Sequence, residues 1–262
     1  MNRQSYPSDL SDAQWARIMP LIPPAKPGGH PRVVNMREIV NAILYLQKTG
    51  CQWRALPHDL PNWSTVHTYY RIWRITGAWE RIHDALHSQV RAKEGREESP
   101  SAAIIDSQSV KTTEQGGVRG YDAGKKIKGR KRHIAVDTLG MLLAVVVHAA
   151  NIQDRDGAKA VLFALMGRFP RLRLLWADGG YGGKLVGWVA VITGWMLEIV
   201  KRTDDQTGFV VLPKRWIVER TFGWFGRYRR LSKDYEEHPS SSEAMIRITM
   251  IQVMLKRLEH AA

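Results

Sequence analysis

Two hydrophobic patterns divide the chain into a helical first part and an alternating second part. Between residues 11 and 92, apolar residues recur every three or four positions, as on the buried face of a helix. The segment 35–49 is the clearest case, and Gly50 follows it as a residue suited to end a helix. Ser11 and Gln14 have the spacing of a capping box before an earlier helix. This part is predicted to be all-α.

From residue 102 onward, short apolar runs alternate with longer segments of helical spacing. The short runs predict strands at 102–106, 133–137, 142–148, 172–177 and 196–200. The other segments predict helices at 156–169, 184–192, 213–231 and 240–258. A hairpin at Leu139-Gly140 followed by strand–helix alternation indicates an α/β domain, with a mixed sheet flanked by helices.

A polar segment at 93–101, KEGREESPS, separates the two parts. It has no apolar side chain to bury, which indicates a linker. We therefore predict two domains, a helical domain at 1–98 and an α/β domain at 99–262. The helical domain is expected to resemble a helix-turn-helix module, with 64–76 as its recognition helix.

Composition adds a strong positive charge to this picture. The 262 residues include 39 Lys and Arg against 25 Asp and Glu, a net charge of +14. Such a balance favours nucleic acid or anionic lipid as a partner. The chain begins without an apolar signal core, and no apolar run approaches the roughly 20 residues that span a bilayer. Nucleic acid is the expected partner, and the single Cys51 fits a reducing cytoplasm.

Three acidic residues stand in unlike settings and are the candidate chemistry of the chain. Asp106 follows the apolar run Ala-Ala-Ile-Ile, and Asp178 follows LRLLWA and precedes GGYGG. An acid at the end of a strand lies at the rim of a sheet, where α/β proteins commonly bind ligands. The alternative is a strand-end Asp that caps a turn. Glu219 lies instead within the aromatic, basic segment WIVERTFGWFGRYRRL.

The surroundings of Glu219 predict a largely buried helix in which this carboxylate needs a partner. Arg215, four residues earlier, can pair with it on the same face. Gly223 and Gly226 also share that face, and each costs about 1 kcal/mol relative to Ala inside a helix. Two glycines there suggest close approach by a nucleic-acid backbone. A plain salt bridge between Arg215 and Glu219 is the alternative.

Carboxylates are costly to place in apolar surroundings unless they are paired or bind a metal. Mg²⁺ prefers oxygen ligands. Two such ions can activate an attacking oxygen and stabilise a leaving oxygen in phosphoryl transfer. Asp106, Asp178 and Glu219 are therefore the candidate catalytic residues and the candidate ligands of Mg²⁺ or Mn²⁺, with two ions expected.

Basic residues flank these acids in sequence and are candidates for contacts with DNA phosphates. Solvated surface charge is the alternative for each of them. Two further arginines lie on the predicted recognition helix, whose Tyr69 and Trp73 are equally well explained as core residues. The candidates are Lys125, Lys126, Lys128, Arg130, Lys131, Arg132, Arg215, Arg227, Arg229, Arg230, Arg71 and Arg74.

Other polar residues are weaker candidates. His83 and His87 are four apart, but no third zinc ligand is evident, so surface histidines are expected. Asp154 and Asp156 are interpreted as helix caps. Asp137 ends a predicted strand and is kept as a reserve metal ligand.

Several motifs taken together resemble bacterial insertion-sequence transposases of the DDE type, in the insertion-sequence-five family. LSDAQWARIMPLIP and GCQWRALPHDLPNWSTVHTYYRIW resemble the N-terminal DNA-binding region of that family. IIDSQSVKT, GYDAGKKIKGRKRHIAVDTLG, ADGGYGG and WIVERTFGWFGRYRRLSKDYE resemble its catalytic core. The resemblance implies an RNase H-like fold and a catalytic triad of Asp106, Asp178 and Glu219. The family signature has Tyr and Lys at two positions near its glutamate. This sequence departs from it there, with Leu212 and Gly226.

The function expected from the resemblance is that of a DNA transposase. It would bind the terminal inverted repeats of an insertion sequence and catalyse metal-dependent cleavage and strand transfer into target DNA. Its partner would be double-stranded DNA, bound by a homodimer in the cytoplasm, associated with the nucleoid. The alternatives are a transposase-derived, non-catalytic DNA-binding regulator and an RNase H-like nuclease without strand transfer.

Overall fold

The computed structural model describes residues 3–25, 27–28, 31–200 and 213–259. Helices come first, as predicted, and the sheet follows. The first helices are α1 (Asp12–Ile18), α2 (Met36–Thr49), α3 (Trp63–Ile75) and α4 (Ala78–Lys93). The capping box of Ser11 and Gln14 is confirmed at α1. Gly50 ends α2 with a φ of 71°, in the left-handed region that suits glycine.

The second part of the chain is a mixed α/β structure, as predicted. Its strands are β1 (Ala102–Lys111), β2 (Gly120–Asp122), β3 (Ile127–Asp137), β4 (Leu142–Ala149), β5 (Leu174–Ala177) and β6 (Met196–Ile199). Its helices are α5 (Asp154–Leu165), α6 (Lys184–Thr193), α7 (Pro213–Phe225) and α8 (Pro239–Glu259).

The sheet combines antiparallel and parallel pairing. Its order is β2-β3-β1-β5-β6, with β4 also paired to β3. β1 is antiparallel to β3 and parallel to β5, and β5 is parallel to β6. β3 and β4 form the predicted hairpin, in which Gly140 has a φ of 81°. The parallel pairing of β1 with β5 brings two distant acidic segments together.

Four element boundaries were predicted wrongly. The helix predicted at 156–169 ends at Leu165. β1 continues beyond Asp106 to Lys111, and β3 begins at Ile127 instead of residue 133. Both extensions are rich in polar residues that pair across the sheet, so they carry no apolar signal. β2 was not predicted at all. The helix around Glu219 ends at Phe225, and Arg229–Leu231 forms a separate 3-10 turn.

Each face of the sheet carries its own hydrophobic cluster. One cluster joins β1 and β3 to α5 and α6 through residues such as Ile105 and Val161. The other joins the opposite face to α7, α8 and the N-terminal helices, for example through Ile104 and Met250. α8 is buried along most of its length, because it contacts both α4 and β4.

The N-terminal helices therefore share their core with the sheet, and the described residues give them no separate hydrophobic cluster. The boundary at 98/99 stays a prediction. No helix among the described residues is both long and apolar enough to cross a membrane.

Candidate active site

The register of the sheet brings Asp106 and Asp178 to one place. The parallel pairing of β1 and β5 ends at Ile104 opposite Trp176. Asp106 lies two residues beyond Ile104, and Asp178 lies two residues beyond Trp176. Side chains two positions apart in extended backbone share a face, so both acids lie on the face of Ile104 and Trp176. This is the face on which α7 packs against both strands. Asp106 lies within β1 and not at its end, which corrects the sequence expectation.

Asp178 is fixed by the turn that follows it. Its Oδ1 accepts a hydrogen bond of 2.8 Å from the Gly180 N–H, and its backbone carbonyl accepts one from Tyr181. The 3-10 turn Gly179–Tyr181 therefore begins at this carboxylate. The turn leaves the side chain partly exposed, on the same side of the sheet rim as Asp106.

Glu219 approaches from α7, together with Arg215. Arg215 Nη2 lies 3.5 Å from Glu219 Oε1 and 3.8 Å from Asp178 Oδ2. Arg215 is thus a counterion shared by Asp178 and Glu219. The salt bridge considered from the sequence is present, and it links two of the three acids.

The expectation that Glu219 is buried was wrong. Its side chain is 47% exposed, and the neighbouring Trp216 is also exposed. α7 buries only one side, through residues such as Val218 and Phe225. Arg220 covers the Trp216 ring, with its guanidinium 4.7 Å from the ring centroid. The aromatic residues that predicted a buried helix are therefore in part surface residues stacked on arginine.

Asp106 is the most perturbed of the three acids. Burial raises the pKa of its carboxyl to about 7, and the nearby Asp178 adds to the rise. The Ser107 N–H, Lys125 and Arg215 oppose it. Perturbed carboxyl groups of this kind cluster at functional sites, because burial near like charge is otherwise selected against. The metal-free arrangement therefore disfavours the ionisation of Asp106.

Exposed lysines of the β2–β3 hairpin lie beside this site. Lys125 Nζ donates to the Ser107 carbonyl at 3.1 Å and contributes to the electrostatics of Asp106. Lys126 and Lys128 are exposed on the same hairpin, and Lys126 has a φ of 54°. Asp122 holds the turn, because its Oδ1 accepts a hydrogen bond from the Lys125 N–H.

Three other residues of that basic run are structural, which corrects their prediction as surface phosphate contacts. Arg130 is fully buried and donates to the carbonyls of Val118, Glu236 and Glu237. Arg132 is also buried and donates to the carbonyls of Leu231 and Lys233. Arg130 and Arg132 lie on the same face of β3 as the core residues Ile134 and Val136, and the packing on that face hides them from solvent.

Lys131 is the third member of this buried set. Its Nζ lies 2.9 Å from Asp154 Oδ1 and 3.6 Å from Asp122 Oδ2. The ammonium is thus neutralised within the fold. A run of basic residues on a strand cannot be assigned to the surface from its charge alone.

The arginines after α7 divide in the same way. Arg227 and Arg229 are exposed, whereas Arg230 is buried against Glu236, with 2.6 Å between Nη2 and Oε1. The prediction for Arg230 as a DNA contact is therefore not supported by its position. On α3, Arg71 is exposed and Arg74 donates to Ser240.

The aromatic residues of α3 are mainly core. Trp73 is buried and Tyr69 packs partly buried beside it. Only part of the predicted recognition helix is thus available to a ligand.

Sequence reasoning missed a polar layer on the opposite face of the sheet. The Tyr181 hydroxyl lies 2.8 Å from His133 Nε2, and His133 Nδ1 lies 3.3 Å from His148 Nε2. Burial lowers the pKa of His133 to about 3, so its ring is neutral near neutral pH. Gly157 makes room for the pair, because a Cβ there would lie 2.4 Å from His148 Nε2.

A second contact of this layer reaches the strand that carries Asp106. Ser107 Oγ donates to Asp154 Oδ1 at 2.7 Å. Burial opposes ionisation of Asp154, but hydrogen bonds from Lys131 and Ser107 outweigh it and hold its pKa below the usual value. Asp154 thus joins α5 to β1 and β3, and it is not the N-cap residue of α5. In the sequence, Tyr181 directly after the motif ADGG was the residue that could have indicated this polar layer.

Asp137 forms an internal ion pair with Arg91, and His87 of α4 lies against the same carboxylate. Arg91 Nη1 lies 2.6 Å and His87 Nε2 3.2 Å from Asp137 Oδ2. Asp137 is fully buried, and its other oxygen accepts N–H bonds from Leu139 and Met141. This corrects the expectation of a reserve metal ligand.

The two histidines of α4 are not on the surface. His83 and His87 are both buried, against the expectation of exposed side chains. Their helix instead ties the N-terminal region to the β3–β4 hairpin.

The donor set of the acidic site fits a hard divalent cation. Asp106, Asp178 and Glu219 supply only carboxylate oxygens, the ligand type that Mg²⁺ prefers. Within the described ranges, no three carboxylate, histidine or cysteine side chains converge closely enough to coordinate one ion. Arg215 stands between two of the acids, so a bound ion would replace it as their counterion. Leu212, one of the departures from the transposase signature, lies outside the described residues.

Two models of known protein families match the chain. Residues 97–254, more than half of the chain, match the family model "Transposase DDE domain". Residues 10–83 match a model described as "Putative transposase of IS4/5 family". DDE domains of this kind generally use divalent metal ions.

Three curated proteins are similar to parts of the chain. The "Insertion element IS402 uncharacterized 16.2 kDa protein" of Burkholderia cepacia is 34% identical over 41% of this chain and 76% of its own length. The "Putative transposase for insertion sequence element IS402" of the same organism is 28% identical over 51% of this chain and 66% of its own length. "Uncharacterized protein y4sN" of Sinorhizobium fredii is 30% identical over 28% of this chain and 58% of its own length. With the DDE domain model covering β1 to α8, the chain belongs to the DDE transposases of insertion sequences, a family with an RNase H-like fold.

Proposed function

We propose that this transposase binds the terminal inverted repeats of its insertion sequence and catalyses strand cleavage and strand transfer with Asp106, Asp178 and Glu219. One observation carries the proposal. Two acids stand at equivalent positions on neighbouring parallel strands, and Arg215 joins one of them to an acid on the helix that covers those strands. A ligand in the space between these elements would meet acids from two sides.

The three carboxylates would hold Mg²⁺ or Mn²⁺, two ions in all. Bound there, the ions would supply activation of the attacking oxygen and charge stabilisation of the leaving oxygen. Ionisation of Asp106 is disfavoured without a cation, because burial raises its pKa. A cation in the site favours the ionised carboxyl, so we expect proton release when the site fills.

Arg215 and Lys125 would contact the scissile region of the DNA. Arg215 is only partly exposed, and its guanidinium can donate two parallel hydrogen bonds to a phosphate once Asp178 and Glu219 have another counterion. Lys125 extends from the hairpin on the other side of Asp106. A water oxygen would attack the phosphorus at the element end while the P–O3′ bond breaks, which frees a 3′-hydroxyl. That hydroxyl would then attack a phosphorus of the target DNA and displace the 3′-oxygen of the target strand.

DNA recognition would fall to the N-terminal helices, as a helix-turn-helix-like module with α3 in the major groove. Arg71 is the exposed basic residue of α3 that supports this role. Lys126, Lys128 and Arg229 are further exposed candidates for phosphate contacts. A homodimer on paired element ends, in a nucleoid-associated cytoplasmic protein, completes the proposal.

The test is a joining assay with a labelled duplex that carries one inverted repeat of the element and a supercoiled target plasmid. We expect labelled repeat covalently joined to plasmid in the presence of Mg²⁺ or Mn²⁺. Cleavage without joining would indicate a nuclease. Tight binding to the repeat with neither product would indicate a regulator and contradict the proposal.

A further inference from the structure

A cleft between α2, α8 and the end of α7 is lined by the ion-paired Arg257 and by three cations that have no ion pair among the described residues, and it has no assigned role. Its lining includes Lys48 from α2, Arg227 from the turn after α7, and Lys256 from α8. The remaining lining residues are Trp224, Tyr228, Val253 and Arg257, so none of the described residues that line the cleft is acidic. All three cations are exposed.

The three cations lie close enough to affect one another. Lys48 Nζ donates to the Arg227 carbonyl at 2.9 Å and lies 5.1 Å from the centroid of the Tyr228 ring. Burial lowers the pKa of Lys48, and the charges of Lys256 and Arg227 lower it further. Like charges held together in this way are unfavourable in the free protein, and an anion in the cleft would relieve the repulsion.

The cations have no carboxylate partner to offset that repulsion. Among the ion pairs of the described residues, none involves Lys48, Arg227 or Lys256, although Arg257 at the edge of the cleft pairs with Glu94 at 2.8 Å. The cleft therefore presents uncompensated positive charge, unlike the buried arginines of β3.

A clear path joins this cleft to Glu219. Gly223 follows Glu219 by one turn on the same face of α7, and Gly226 lies just after the helix ends at Phe225. A Cβ at Gly223 would meet no atom within 4 Å, and one at Gly226 would meet only the Gly223 carbonyl at 3.4 Å. The two glycines thus place no side chain on the surface between Glu219 and the cleft.

We propose that Lys48, Arg227 and Lys256 form a phosphate-binding cleft that holds the DNA backbone leading away from the acidic site. The end of α7 at Phe225 lies roughly 9 Å from Glu219 at 1.5 Å per residue, and Arg227 lies in the turn just beyond it. That distance corresponds to about three nucleotides along one strand of B-form DNA. A strand whose reacting phosphate sits beside Glu219 would cross the glycines and enter the cleft.

This inference rests on the proposed function, because its ligand is DNA. It also extends it, since Lys48 and Lys256 come from elements outside the acidic site. The bound strand would bridge α2, α7 and α8, so cleavage would depend on contacts made by both parts of the chain.

The test compares the salt dependence of DNA binding in Lys48→Gln/Lys256→Gln with that of the unmodified protein. Binding of a fluorescein-labelled duplex is followed by anisotropy, without divalent ions, over a series of salt concentrations. Loss of two phosphate contacts should reduce the slope of log K against log salt by about 1.8. Lys256→Gln alone should reduce it by about half as much, and it alters only an exposed side chain.

The matched control is Lys159→Gln/Lys184→Gln, which removes the same charge from α5 and α6 and should leave the slope unchanged. If K48Q/K256Q binds with the slope of the unmodified protein, the cleft proposal is overturned while the proposed function stands. An equal reduction in the control double variant would also overturn it, because bulk charge would then explain the effect. If the unmodified protein does not bind the duplex at all, both proposals are overturned.

Discussion

Asp106 and Asp178 occupy equivalent positions on adjacent parallel strands, each two residues beyond the last pair of the ladder, Ile104 and Trp176. Parallel register therefore sets their proximity, and no loop has to close to bring them together. Like charges so placed repel each other, which is one reason why the pKa of Asp106 lies far above its usual value.

Asp106→Asn should stabilise the metal-free protein at alkaline pH. Burial raises the pKa of Asp106 to about 7 in the folded protein, whereas an unfolded Asp titrates near about 3.9. The folded state therefore binds more protons between these values, and the contribution of this group to stability falls as pH rises through that window. The variant should be more stable than the unmodified protein at about pH 8, on the order of 1–3 kcal/mol, and equal to it near pH 4.

Urea denaturation in the presence of chelator measures this difference. Asp156→Asn is the control, because Asp156 is exposed and lies away from the acids. Equal free energies of unfolding for Asp106→Asn and the unmodified protein at alkaline pH would show that Asp106 is not held in the environment described.

Gly223→Leu should raise the free energy of unfolding and lower the cleavage activity. The position is open, and replacing Gly by Leu in a helix interior should add about 0.5–1 kcal/mol of stability. A leucine there would block the surface beside Glu219, so we expect weaker DNA binding and slower cleavage. Gly187→Leu is a matched control, since Gly187 lies in α6 with the same open surroundings. Unchanged cleavage and affinity in Gly223→Leu would mean that no backbone passes over this helix face.

Tyr181→Phe should weaken the support of the Asp178 turn. It removes the hydroxyl that bonds to His133 Nε2 and leaves a buried ring nitrogen without its hydrogen-bond partner, at a cost of about 1–3 kcal/mol. We expect a lower free energy of unfolding and slower single-turnover cleavage, with DNA affinity preserved. Tyr121→Phe, at an exposed position on β2, controls for loss of a hydroxyl. A cleavage rate that stays at the level of the control would rule out a positioning role.

Lys125 and Arg130 should respond in opposite ways to the same substitution. Lys125→Gln removes an exposed charge beside Asp106 and should reduce the salt slope of DNA binding by about 0.9, with stability within about 0.5 kcal/mol. Arg130→Gln should cost about 3–5 kcal/mol, because Asp234 would lose its buried partner at 3.4 Å. Anisotropy and urea denaturation measure the two effects. A stable Arg130→Gln protein with a reduced salt slope would show that Arg130 contacts DNA, and it would contradict the structural role described for this residue.

The pattern of apolar residues was sufficient for the helices, the β3–β4 hairpin and the mixed sheet. It failed where polar residues are buried. Ser107, Ser109 and Lys131 extend β1 and β3 and find partners only in the folded sheet, so nothing in the local sequence distinguishes them from a loop. The burial of Arg130 depends on carbonyls more than 100 residues away in the chain. The topology of the fold, and not the local sequence, determines which groups become the partners of such buried polar residues.

The acids themselves were found because each interrupts an apolar segment. Their relative placement was not available from the sequence, since the parallel pairing of β1 with β5 is a long-range contact. The exposure of Glu219 was missed because stacking of Arg220 on Trp216 and Trp224 lets aromatic rings lie at the surface.

Strand cleavage of inverted-repeat DNA by a panel of isosteric variants tests the central claim most directly. The panel is Asp106→Asn, Asp178→Asn and Glu219→Gln, with Asp156→Asn as control, each assayed with Mg²⁺ and with Mn²⁺ at equal DNA occupancy. We predict cleavage by the unmodified protein and by Asp156→Asn, and a loss of at least about a hundredfold, some 2.7 kcal/mol in the barrier, for each of the other three. Cleavage near the unmodified rate in any one of the three would contradict the assignment of these acids as the active site.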